Sequence, residues 1–125
     1  MKSFAVKMGL GFGLTLALAG VATAQAVASS NGLLTDAGGR VLYTFDKDEA
    51  GKSNCNGQCA VNWPPFAAAA DSKASGDYSV VVRDDGAKQW ALKGKPLYYF
   101  VGDAKPGDSN GEGKLGVWHT VKAAQ

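Results

Sequence analysis

Past an N-terminal apolar run, apolar and polar positions alternate with a period of two, and this predicts short β-strands. Arg40-Val41-Leu42-Tyr43-Thr44-Phe45 puts Val41, Tyr43 and Phe45 on one face. It follows Leu33-Leu34-Thr35 across Asp36-Ala37-Gly38-Gly39, a hairpin pattern. Tyr78 to Arg83 is β-branched and aromatic, Asp84-Asp85-Gly86 suits a tight turn, and Lys88 to Lys93 returns with Trp90 and Leu92 on one face. Gly94-Lys95-Pro96 turns the chain into a strand expected at Leu97 to Val101, and Gly116 to Val121 reads as the last strand. Helical signal is weak: Gln58 to Trp63 suits one or two turns, stopped by Pro64-Pro65. Phe66 to Ser75 reads as a linker in which Ala67 to Ala70 could form a helical turn. The expected fold is mainly β, with at most one or two short helices.

The apolar run at the start has a different meaning. Lys2 and Lys7 precede an uncharged stretch from Met8 to Ala22, and Ala22-Thr23-Ala24 offers small residues at the −3 and −1 positions. That pattern predicts a signal peptide over 1–24 and a mature chain over 25–125. A spanning helix needs roughly 20 apolar residues; this run is shorter and broken by Gly and Thr, so no stable membrane span is expected after cleavage. No Cys stands at the junction to be acylated. The expected location is periplasmic or secreted. The charge then falls to zero: the chain has a formal charge of +2, but without Lys2 and Lys7 it holds 11 basic and 11 acidic residues. A neutral chain lacks the basic excess that nucleic acid or an anionic membrane demands. An envelope protein or a surface ligand is the expected partner.

The mature chain is the size of one small domain, and it contains an internal duplication. Gly39 to Asp48 aligns with Gly94 to Asp103, matching Leu42 with Leu97, Tyr43 with Tyr98, Phe45 with Phe100 and Asp48 with Asp103. One extra residue in the second copy then brings Gly51-Lys52-Ser53-Asn54-Cys55-Asn56-Gly57 against Gly107-Asp108-Ser109-Asn110-Gly111-Glu112-Gly113, and Trp63 falls against Trp118 back at the first offset. The domain is therefore expected to be two tandem strand-turn repeats, about 33–66 and about 88–121, on one core.

Tyr43-x4-Asp48 and Tyr98-x4-Asp103, each with an aromatic two residues after the Tyr, resemble the bacterial secreted-repeat family with the Y-x4-D motif. That family is also described as predicted lipoproteins with a Tyr-x-aromatic-x-x-Asp motif. Cys55 to Pro65 and Gly107 to Trp118 resemble it too, so the likeness covers about Leu33 to Val121. Many relatives carry a lipobox Cys that this chain lacks. The resemblance implies an exported repeat protein and brings no activity with it.

The residues themselves point away from catalysis. Cys55 and Cys59 form C-x-x-x-C, not the C-x-x-C of redox motifs, and no C-x-x-C-H haem site occurs. Export favours their pairing in a local disulfide worth about 2 kcal/mol in the chain-entropy model. His119 is the sole histidine and reads as a half-buried strand residue sharing a face with Val117 and Val121. No G-x-S-x-G or phosphate-loop motif is present, so no enzyme and no cofactor are expected. Asp46-Lys47-Asp48-Glu49-Ala50-Gly51 resembles the start of a calcium loop, but Ala50 takes a ligand position and Gly57 replaces the bidentate Glu. Small-ligand or calcium binding by the Asp-rich turns, with Asp103, Asp108 and Glu112 as the second set, is thus the alternative to a non-enzymatic binding or structural module. Asp48 and Asp103 are expected to organise turns by accepting backbone N–H groups. Tyr43 and Tyr98 should be buried beside Phe45 and Phe100, with hydroxyls that need partners. Tyr99, on the opposite face, is expected to be exposed and available for contacts.

Overall fold

The computed structural model describes residues 27–123. The expected signal peptide, 1–24, lies outside the described residues. Strands β1 (Val27–Ser30) and β2 (Leu33–Asp36) form one antiparallel pair, and β4 (Tyr78–Val82), β5 (Lys88–Leu92) and β6 (Lys95–Pro96) form a three-stranded sheet. Strand β3 (Tyr43–Phe45) pairs with the last strand, β7 (Trp118–Thr120), far along the chain. A five-residue helix, α1 (Gln58–Asn62), and a 3-10 turn at Lys114–Gly116 complete a mainly β fold.

A pseudo-two-fold axis organises these pieces. It passes between Tyr43 and Tyr98, whose backbones exchange both hydrogen bonds at 2.8 and 2.9 Å. The further backbone links across it come in mirrored pairs. Asp46 N–H donates to Val117 O and Val101 N–H to Asn62 O. Thr44 pairs with His119, while Tyr99 N–H donates to Pro64 O. Leu34 N–H donates to Val121 O and Trp90 N–H to Phe66 O. Each unit is therefore completed by the end of the other. Each also begins one strand earlier than the sequence repeat, at β1 and β4.

Gly39 and Gly94 explain why glycine recurs at this point of the motif. Both have positive φ, 92° and 84°, and both back onto the other unit, at Pro106 and Ala50. Their carbonyls accept the N–H groups of Gly107 and Gly51 across the axis. A side chain at Gly39 would sit 3.1 Å from Pro106 in a backbone conformation that L residues avoid.

Several expected elements are shorter or differently paired. β2 forms its ladder with β1, and the strand expected from Arg40 narrows to Tyr43–Phe45, keeping only a bridge from Val41 to Thr35. Leu97 to Val101 is not a ladder strand: Tyr98 bridges Tyr43 and Pro65, and the chain then leaves the sheet. The cause is the exchange between units, which gives these segments one crossing each instead of a hairpin partner. The linker also starts later than expected, because Phe66 is core and Ala67 bridges Gln89 in place of a helical turn.

Two buried clusters draw on both units. Val41, Tyr43, Cys55, Trp63, Tyr98 and Trp118 lie on the axis. Leu34, Leu42, Phe66, Trp90 and Leu97 form the second, in which Leu34 and Leu42 match Trp90 and Leu97. Burying large side chains is what a domain this small depends on.

Candidate functional site

The repeated motif converges on the axis, and its pairing is crossed. Tyr43 donates its hydroxyl to Oδ2 of Asp103 at 2.6 Å, and Tyr98 donates to Oδ2 of Asp48 at 2.6 Å. Each Tyr thus binds the Asp of the other repeat. The remaining carboxylate oxygens hold their own loops: Asp48 Oδ1 accepts Asn54 N–H at 2.7 Å, and Asp103 Oδ1 accepts Asn110 N–H at 2.8 Å. Both asparagines then return a side-chain hydrogen bond to the backbone beside the Asp, at Lys47 O and Gly102 O. Each Asp N–H donates to the motif aromatic three residues back, Phe45 or Phe100, where the strand ends.

The two locks are braced by different chemistry. Tyr43 Oη accepts the N–H of Gly111 at 3.1 Å. Glycine is required there, because an added Cβ would lie 2.7 Å from the Trp63 ring. In the other lock Cys55 takes the equivalent place, bonded to Cys59 on α1, and a buried polar network does the bracing. Arg83, 5% exposed, donates through Nη1 to Ser53 Oγ at 3.0 Å and Gln89 Oε1 at 2.8 Å, and through Nη2 to Cys55 O at 2.6 Å. Gln89 passes its own N–H to Leu97 O. Ser53 lies 2.6 Å from the Tyr98 hydroxyl. With the one Tyr98 proton given to Asp48, Ser53 donates to Tyr98, and a chain of hydrogen bonds runs from Arg83 to Asp48.

An aromatic column crosses the axis beside the locks. Trp63 and Trp118 stack at 3.8 Å with planes 3° apart. Phe45 caps Trp118 at 4.2 Å and Phe100 caps Trp63 at 4.3 Å. Tyr43 meets Trp63 edge-on at 5.3 Å, as Tyr98 meets Trp118 at 5.2 Å.

Burial sets the electrostatics. Desolvation, then the facing carboxylate, pushes the phenols of Tyr43 and Tyr98 far above their ordinary range. Desolvation also raises the Asp48 carboxyl, against the hydrogen bonds from Tyr98 and Asn54 and the positive charge of Arg83.

A family model described as a secreted repeat of unknown function matches residues 25–67 and again 79–122. The chain belongs to that family. The two matched stretches are the two units related by the axis, and the family description makes this an exported protein. No curated protein and no solved structure matches the chain.

Within this secreted repeat, the structure brings together Tyr43, Phe45, Asp48, Tyr98, Phe100 and Asp103, and it places Cys55 and Cys59 at bonding distance. It does not gather the acids of the turns. Both Asp48 oxygens are engaged within the protein, Asp46 faces His119 Nε2 at 2.8 Å, and Glu112 Oε1 holds Thr120 through its N–H and hydroxyl. Among the described residues no three or more His, Cys, Asp or Glu side chains are grouped to hold a metal ion.

Tyr99 corrects the sequence reading. Far from being exposed, its hydroxyl donates to Asp36 Oδ2 at 2.7 Å, its ring meets Phe66 edge-on, and the Arg40 guanidinium lies 4.5 Å above it. Arg83, Gln89 and Ser53 were missed. Their only signal was polar residue types within apolar or turn segments.

Proposed function

We propose that this chain is a non-enzymatic module of the cell envelope, periplasmic or secreted, in which the repeated Tyr-x4-Asp motif welds two repeats into one rigid binding or structural unit. The observation that carries this reading is the crossed pairing: each motif Asp spends one oxygen on the other repeat's Tyr and the other on its own loop. A general acid, a nucleophile or a metal ligand needs a free oxygen facing substrate or ion. Asp103 is moreover buried. The motif therefore serves architecture, and the partner, an envelope protein or a surface ligand, meets the outer surface.

Asp48→Asn and Asp103→Asn, made separately, test the reading by thermal unfolding with and without calcium. Each is expected to cost about 1–3 kcal/mol, because a charge-assisted acceptor is lost, and calcium should change neither result. Unaltered stability in calcium-free buffer, together with loss of a calcium-induced shift, would establish the acids as ligands and the turns as a calcium site.

A further inference from the structure

The pseudo-symmetry exposes one place where the units differ in shape. Tyr99 is packed between Phe66, Arg40 and Asp36. The pairings across the axis put Thr44, Val121, Lys95 and Leu92 at the corresponding positions of the other unit. These four residues line a single open cleft of about 550 Å³. The ring that fills one side of the molecule is thus replaced by a threonine on the other, and a cleft remains. Its volume is within the range of small-molecule sites, roughly 300–1,000 Å³.

We propose that this cleft binds a small aromatic carboxylate, with the ligand ring seated as the Tyr99 ring is seated in the other unit. The apolar wall comes from Leu34, Leu92, Val121 and Tyr78. The rim carries Lys93, Lys95 and Lys122 against one acid, Asp77. None of the ion pairs among the described residues involves these lysines. Charge decides the ligand's polar end. Asp36, which accepts the Tyr99 hydroxyl, is replaced by Leu92, so a phenol finds no equivalent acceptor there. The lysines instead supply donors to an anion. Lys95 stands where Arg40 covers the Tyr99 ring, a position suited to a cation over a π face.

Benzoate titrated into the isotopically labelled protein, followed by amide chemical shifts, tests the proposal. Saturable shifts are expected at Thr44, Leu92, Lys95 and Val121, and benzylamine, with the same ring and opposite charge, should give none there. Thr44→Tyr should fill the cleft, keep cooperative unfolding and abolish the benzoate response. Lys95→Gln combined with Lys122→Gln leaves the fold untouched by any buried change. It should weaken benzoate about tenfold, the loss expected for one or two charge-assisted hydrogen bonds. The proposal is overturned by the absence of saturable benzoate shifts, by an equal response to benzylamine, by unchanged affinity in the double lysine variant, or by binding that survives in a folded Thr44→Tyr protein.

Discussion

The lock at Asp48 and the lock at Asp103 use the same Tyr, Asp and Asn side chains and differ in what braces the tyrosine hydroxyl. The first is backed by Arg83, Ser53, Gln89 and a disulfide; the second by one glycine N–H against a tryptophan ring. Two unlike braces hold Tyr–Asp bonds of the same length, 2.6 Å. The difference teaches that the crossed bond is the constant of the duplication, and that the loops around it were free to find separate solutions. Gly111 is one such solution: Trp63 leaves no room for a side chain, so the Cys of the first unit has no counterpart in the second.

Alkali should break both locks at once, and this is the largest expected effect. The phenols of Tyr43, Tyr98 and Tyr99 are raised in the folded protein, so below about pH 10 they contribute their full stability. Above that, the unfolded chain loses protons that the folded one keeps, and stability falls as pH rises. Absorbance of tyrosinate, followed together with circular dichroism, should show ionisation delayed beyond the ordinary range and coincident with unfolding. A phenol of either lock that titrates normally while the fold persists would separate the two locks and refute their equivalence.

The aromatic column gives the next effect. Trp63→Ala and Trp118→Ala should each cost about 3–5 kcal/mol in chemical denaturation, as for large buried aromatics, and by similar amounts because each stacks on its twin and one phenylalanine. A large inequality would show that one unit carries the core.

Substitutions of the braces should be smaller and confined to one side. Arg83→Met deprives Ser53, Gln89 and Cys55 O of a donor, and should cost about 2–3 kcal/mol. Gly111→Ala drives a Cβ against Trp63 and should cost about 1–3 kcal/mol. Amide hydrogen exchange should localise the first loss around Asp48 and Asn54 and the second around Asp103 and Asn110. Spread of either loss to both loops would mean that the locks share their braces.

Much of this was legible in the sequence, for physical reasons that can be named. Leu42, Tyr43, Phe45 and Asp48 recur because both copies bury the same faces, and periodicity exposed the pair β4–β5 well, but it found β2 without its ladder partner β1 and set it against the strand from Arg40 instead. Asp48 and Asp103 lie just past a strand end, where an Asp naturally collects loop N–H groups. The exchange between units was not legible. A repeat tells that two segments are alike, but not whether a Tyr meets its own Asp or its twin's, since that depends on contacts 60 and 50 residues apart. Tyr99 misled for the same reason: alternation assigns it a face but cannot reveal that Phe66 and Arg40, both from the other unit, cover that face. The burial of Arg83 follows from acceptors on two segments, Gln89 across its own hairpin and the loop of Ser53 and Cys55, and that loop lies 30 and 28 residues away in the chain.

The central claim is that the motif joins the repeats across the axis, and double-mutant cycles address it directly. Tyr43→Phe and Asp103→Asn, and separately Tyr98→Phe and Asp48→Asn, should couple by about 0.5–3 kcal/mol, as partners in contact do. The within-repeat combinations, Tyr43→Phe with Asp48→Asn and Tyr98→Phe with Asp103→Asn, should be additive to within about 0.5 kcal/mol. Coupling in the within-repeat pairs, with additivity in the crossed pairs, would contradict the account.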